Sequence, residues 1–269
     1  MKLLIRGFLV LFSLQLSAQD GSYTLGARSA GMGGASLTIG DEYSLFNNVG
    51  ALGRLDHHSA FASYQSRYGI PEFQVIGAGG IYHSPIGNAG IGFYRFGDEL
   101  FSQQRLHLAF GNKLQMVSLG VGIDLIQYAV SSVGTRQVLA IQFGGVAEIT
   151  PKLFFGAHIF NLNQADLNVE TDDRVPTVMK GGISYRPTEE LMLNAEVEKD
   201  LDFDEKIKVG IEYQIVSRVF MRTGISTDPK TASFGVGFHP KNLAFDYAFS
   251  NDNRLGNAHE VSFSYAFKQ

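Results

Sequence analysis

The chain has no cysteine, which excludes a disulfide scaffold, a thiolate metal site and a cysteine nucleophile. Tryptophan is also missing, and with it the strongest marker of a membrane-interface girdle. Proline is scarce, at 7 of 269 residues, so the 31 glycines do not belong to a disordered Pro/Gly sequence. Charged residues make up 18%, below the usual quarter, and they are spread without basic runs. No nucleic-acid partner is expected, because such a binder carries a basic stripe. Beyond the first residues no apolar run is long enough for a membrane-spanning helix. What remains, 21 Phe, 11 Tyr and abundant Gly, favours β-structure with much apolar surface to cover.

Residues 1–18, MKLLIRGFLVLFSLQLSA, read as a secretory signal peptide. Lys2 and Arg6 form a basic start, Gly7 to Leu14 a short apolar stretch, and Ser17-Ala18 a small-residue cleavage site. A retained anchor is the rival reading, but the apolar run falls short of the ~20 residues a span needs. An exported, cysteine-free chain is periplasmic, secreted, or a barrel in an outer membrane.

From about His58 onward the sequence alternates with period two. Val117, Leu119, Val121, Ile123 and Leu125 interleave with Ser118, Gly120, Gly122 and Asp124. The same pattern runs through Ile207–Ile215, Leu243–Phe249 and Val261–Phe267. Each segment therefore has one apolar face and one small or polar face. A soluble sandwich turns the apolar face inward; a transmembrane barrel turns it to lipid. The polar faces are rich in Gly, Ser and Ala with isolated charges, which suits a crowded barrel interior better than a water-facing surface. Segments near 58–68, 73–83, 88–97, 100–111, 115–129, 136–149, 152–161, 176–186, 190–199, 205–215, 218–227, 231–239, 242–250 and 257–268 give about fourteen strands. That number is even, as bacterial barrels require, and the spacing leaves room for the ~9–11 residues of a tilted crossing. Residues 161–175 read as a polar loop, and the terminal aromatic Phe267 ends an amphipathic strand of the kind that outer-membrane assembly machinery recognises.

The expected fold is thus an all-β outer-membrane barrel, residues 58–269, preceded by a glycine-rich plug, residues 19–57. In the plug the glycines permit tight turns, and Asp41 to Leu52 is expected to form a short helix with Asp41 as N-cap. Gly31-Met32-Gly33-Gly34 as a phosphate loop is disfavoured, since neither a Lys-Ser/Thr pair nor a strand–loop–helix context follows.

Leu25-Gly26-Ala27-Arg28-Ser29-Ala30-Gly31-Met32-Gly33-Gly34-Ala35 resembles the N-terminal signature of the PorV/PorQ family, which is related to FadL-type outer-membrane transporters. In the stretch Phe46-Asn47-Asn48-Val49-Gly50-Ala51-Leu52, Asn48 stands where that family usually has proline. Later matches at Phe155-Gly156-Ala157, Gly210-Ile211-Glu212-Tyr213, Arg222-Thr223-Gly224 and Asp246-Tyr247-Ala248-Phe249 extend the likeness over nearly the whole mature chain. The resemblance implies a fourteen-stranded barrel in outer-membrane lipid and a non-enzymatic accessory role in protein secretion, with type IX translocon or attachment proteins as partners. The alternative it implies is a FadL-like carrier of hydrophobic small molecules, its barrel blocked by an N-terminal hatch.

No catalytic, cofactor or metal site is expected. His57-His58 would point to opposite faces of a strand and make a poor chelate, and no G-x-S-x-G elbow occurs. Candidate plug residues are Arg28, Gly31, Met32, Gly33, Gly34 and Asn47. Candidate interior charges are Asp124, Glu148, Glu196, Glu198, Lys208, Glu212, Arg222, Asp246 and Glu260, read either as a salt-bridged network, with Lys208 and Arg222 compensating the carboxylates, or as a polar path or hatch-docking surface.

Overall fold

The computed structural model describes residues 24–168 and 173–267, so the expected signal peptide lies outside the described residues. Fourteen strands close into one antiparallel barrel. They are β1 (Ser59–Arg67), β2 (Gln74–Ser84), β3 (Gly87–Gly97), β4 (Phe101–Leu114), β5 (Val117–Val130), β6 (Gly134–Thr150), β7 (Leu153–Phe160), β10 (Val178–Tyr185), β11 (Leu191–Asp200), β12 (Lys206–Val216), β13 (Val219–Thr227), β14 (Lys230–Phe238), β15 (Leu243–Asp252) and β16 (Gly256–Ala266). The seam between first and last strands is in register from Ser59 opposite Ala266 to Arg67 opposite Ala258. A two-stranded hairpin, β8 (Asp166–Asn168) and β9 (Asp173–Arg174), sits between β7 and β10, where a plain polar loop was expected.

Alternation places every second side chain outside. Ile91, Leu108, Val121, Ile141, Val197, Ile225, Phe234 and Val261 are exposed on the outer wall. A soluble monomer rarely shows an apolar patch beyond a few hundred Å²; a wall that is apolar all round belongs in hydrocarbon, with its edges closed on themselves. Two rims differ in their connections. At the rim where β1 begins and β16 ends, four turns are tight: 85–86, 115–116, 151–152 and 217–218. The opposite rim carries the long connection 161–177.

Residues 25–55 lie inside the closed wall. They form helix α1 (Ala27–Gly31), helix α2 (Ser44–Asn47) and a 3-10 turn (Ala51–Arg54). The single helix expected from Asp41 to Leu52 is split. Asn48 adopts extended backbone, φ −162°, and its Oδ1 accepts from Gly50 N, which ends α2 before the 3-10 turn begins. The side chain of Asp41 still accepts a backbone N–H, that of Tyr43, at 3.1 Å.

The glycines of the wall explain how a folded segment fits in a narrow lumen. A Cβ built at Gly210 or Gly224 would overlap Met32, one at Gly120 the carbonyl of Val49, and one at Gly144 the side chain of Asn48. Gly31 and Gly235 approach backbone to backbone. Only a residue without a side chain allows such contact.

Candidate functional site in the barrel lumen

The lumen has two chemically distinct halves. Across β10 to β16 and β1 it is charged. Glu212 accepts from Arg28 Nη2 at 2.6 Å and from Arg222 Nε at 2.6 Å, and Arg222 donates in turn to Asp246, which His239 Nε2 meets at 3.0 Å. Arg28 also reaches Asp41 at 3.3 Å. Nearer the long-connection rim, Lys208 Nζ lies 3.2 Å from Glu196 and 2.6 Å from Glu198, with Lys180 3.5 Å from Glu198. Glu260 accepts from Gly26 N at 2.7 Å and from Ser63 Oγ at 2.7 Å. In a low-dielectric interior such charges persist only when paired and hydrogen-bonded.

All seven candidate interior charges in this half, Glu196, Glu198, Lys208, Glu212, Arg222, Asp246 and Glu260, are buried inside the wall. Three of their carboxylates also hold the N-terminal segment. Glu196 Oε2 accepts from Ser36 N and Leu37 N at 3.2 Å each, Glu212 binds Arg28, and Glu260 binds Gly26. Of the candidate plug residues, Met32 is fully buried against Gly210 and Gly224, while Gly31, Gly33 and Gly34 pack on Gly235, Ile225 and Lys208. Asn47 exchanges two hydrogen bonds with the backbone of Leu25 at 2.9 Å. Glu148 sits at the tight-turn rim, where Arg54 Nη2 meets it at 3.2 Å.

Burial alone would lower the Arg28 pKa; the Glu212 carboxylate outweighs it and holds the guanidinium charged well above its ordinary range. Burial pushes the Asp41 carboxyl up to about 6 against the pull of Arg28. At the tight-turn rim His57 lies 3.3 Å from Glu42 and 2.8 Å from Asp56, and the hydrogen bond to Glu42 leads in raising it to about 9. His58 turns elsewhere, its Nδ1 accepting from His83 N at 3.1 Å, so the adjacent histidines share no ligand.

The other half, across β3 to β7 and the start of β10, is built mostly of apolar side chains. Tyr94, Ile126, Tyr128, Phe160, Val175 and Val178 join Leu25, Leu45, Phe46 and Val49 in one buried cluster. Within it the candidate interior charge Asp124 gathers partners that sequence reasoning missed: Arg105 Nη2 donates to Asp124 at 2.6 Å, His107 Nδ1 is 3.0 Å from Asp124, and Gln142 links Asp124 (2.6 Å) to His158 (2.8 Å). Phe160 covers the Arg105 guanidinium at 4.8 Å. The signal was present, since Arg105 and His107 alternate with Leu106 and Leu108.

A cavity of 160 Å³ opens at the charged half, lined among others by Gly33, Arg67, Lys206, Lys208, Asp252 and Glu260. A larger apolar concavity of 730 Å³ lies on the outer wall, among Tyr64, Ile76, Val236, Phe238, Phe245 and Phe263.

A closed fourteen-stranded antiparallel barrel, apolar outside and filled inside, defines an outer-membrane β-barrel protein. Among solved structures it is similar to the Pseudomonas putida toluene transporter TodX, with a TM-score of 0.70 at 12% identity over 90% of this chain and 98% of that one. A TodX monoaromatic hydrocarbon channel mutant matches with a TM-score of 0.69 at 12% identity, over 91% and 99%. The Acinetobacter baumannii outer-membrane protein Omp33 matches at 0.51 with 7% identity, over 78% and 98%. At such identities the likeness is one of fold. No protein-family model and no curated protein matches the sequence.

Proposed function

We propose that this barrel passes or binds small hydrophobic molecules at the outer membrane, without enzymatic chemistry. The observation that carries the reading is the apolar half-lumen. Tyr94, Ile126, Tyr128 and Phe160, packed around the buried Arg105–Asp124 pair, give an aromatic or aliphatic solute a more favourable surface than a hydrated one. The fold likeness to TodX supports it. In this reading residues 25–55 act as a plug, and the carboxylates Glu196, Glu212 and Glu260 are the posts that seat it. The PorV-like role beside a secretion translocon draws on the N-terminal resemblance.

The test compares outer-membrane vesicles with and without the full chain for uptake of a labelled monoaromatic hydrocarbon and a long-chain fatty acid. Uptake of at least one should rise several-fold. It should fall to background in Ile126→Asp, provided that variant still migrates as a folded barrel in unheated gels. Equal uptake with and without the chain sinks the reading.

A further inference from the structure

Most buried charge in the lumen is paired, but one corner of the tight-turn rim is not. Phe154 on β7 packs with Ala51 and Val146 beneath the 3-10 turn. Two guanidiniums share its ring. Arg54, from the inner segment, has its Cζ 5.0 Å from the ring centroid, and Arg186, one residue beyond β10, has its Cζ at 4.2 Å. Stacking uses the flat face of a guanidinium and leaves its N–H fork, which lies in the plane, unspent.

Those forks are short of acceptors. Arg54 Nη2 donates to Glu148 at 3.2 Å, but Nη1 is buried with no partner among the described residues. The Arg186 guanidinium makes no hydrogen bond or ion pair among those residues, and its Nε is buried as well. Ser184, opposite Phe154 in the β7–β10 register, adds a buried hydroxyl that also lacks a partner. A buried donor left without an acceptor is costly, and three of them around one ring mark a place for an acceptor from outside the chain.

Charge selects that acceptor. Arg54, Arg186 and Lys152, whose carbonyl accepts from Arg186 N at 2.7 Å, stand with one carboxylate, Glu148. Glu189 and Glu190 in the following turn are exposed and form no ion pair among the described residues. The corner is left with an excess of two positive charges. Burial first, then the cations Arg28 and Arg54, bring Arg186 down to about 10 against the pull of Glu212 and Glu148. A carboxylate would supply one negative charge. A phosphate supplies about −1.5 to −2 and three acceptor oxygens, enough for two separate forks. Tyr185 points outward to lipid while Arg186 turns inward onto Phe154, so the corner opens on the lumen mouth rather than on the bilayer.

We propose that Arg54 and Arg186 form a binding site for a soluble phosphate dianion, which bridges the inner segment to the wall at the tight-turn mouth.

The experiment uses the full chain purified in detergent as a heat-modifiable barrel. Phenylglyoxal labels its arginines in inorganic phosphate or in chloride of equal ionic strength, and peptide mass spectrometry reads each site. Phosphate should slow the labelling of Arg54 and Arg186 several-fold and leave the exposed Arg136 and Arg218 unchanged. Arg54→Gln should abolish the protection of Arg186, and Arg186→Gln that of Arg54, a reciprocity that stacking on Phe154 alone does not produce. The phosphorus NMR line of phosphate gives a second reading on the same preparations. It should broaden with the unaltered chain and stay narrow with Arg186→Gln. Equal labelling in the two salts, or a line that the unaltered chain leaves narrow, overturns the proposal. So does protection that extends to Arg218, that acetate reproduces, or that appears only once anionic phospholipid is added.

Discussion

Single residues carry much of the fit between segment and wall. Arg222 is fully buried and bridges two carboxylates, Glu212 and Asp246. Arg222→Met should destabilise the barrel by about 3–5 kcal/mol, because it strands buried charge rather than merely deleting a contact; the urea midpoint of heat-modifiability reads this. Gly224→Leu should act differently, leaving the strands paired but evicting Met32. The expected sign is new protease cleavage within residues 25–55 at an unchanged barrel mobility. His57 gives a pH signature. Its pKa is raised on folding from 6.5 to about 9 by Glu42 and Asp56, so its stabilisation is complete below pH 6.5 and is lost as pH rises towards 9. Amide exchange over residues 40–57 should accelerate across that window, and His57→Gln should flatten the change.

At the scale of elements, strands were legible and their partners were not. Period-two alternation from Val117 to Leu125 defines a strand whatever surrounds it, so the fourteen barrel strands and the inward parity of Asp124, Lys208, Arg222 and Glu260 follow from local pattern. The pairs Arg28–Glu212 and Gly26–Glu260 span most of the chain, and no spacing rule reaches that far. The split of the expected Asp41–Leu52 helix has the same origin, since Asn48 leaves helical backbone where it also binds Leu37 O and Gly145 O. The cluster of Arg105, His107, Gln142 and His158 was hidden because its members are spread over β4, β6 and β7 and meet only around Asp124 on β5.

For the whole molecule, the two-sided lumen sets expectations that no single element does. The charged half is cross-linked to the N-terminal segment, and the apolar half is packed with aromatics. Swapping Ile126 for Asp should therefore alter solute uptake, whereas Lys208→Met should weaken the hold on Glu196 and Glu198 and shift the unfolding midpoint with uptake retained. Uptake measured beside the denaturation midpoint for both variants separates the two halves by function.

The Tyr43 hydroxyl lies within 2.9 Å of Ala62 O on β1 and 3.0 Å of Phe263 O on β16. Gly26 and Ala27 bind Glu260 and Ser262 on β16. The segment inside the barrel is thus fastened to both strands, β1 and β16, that meet at the junction turning the sheet into a cylinder. A barrel closed without that segment would lack these bonds at its final joint, so the filling doubles as a rivet for the seam.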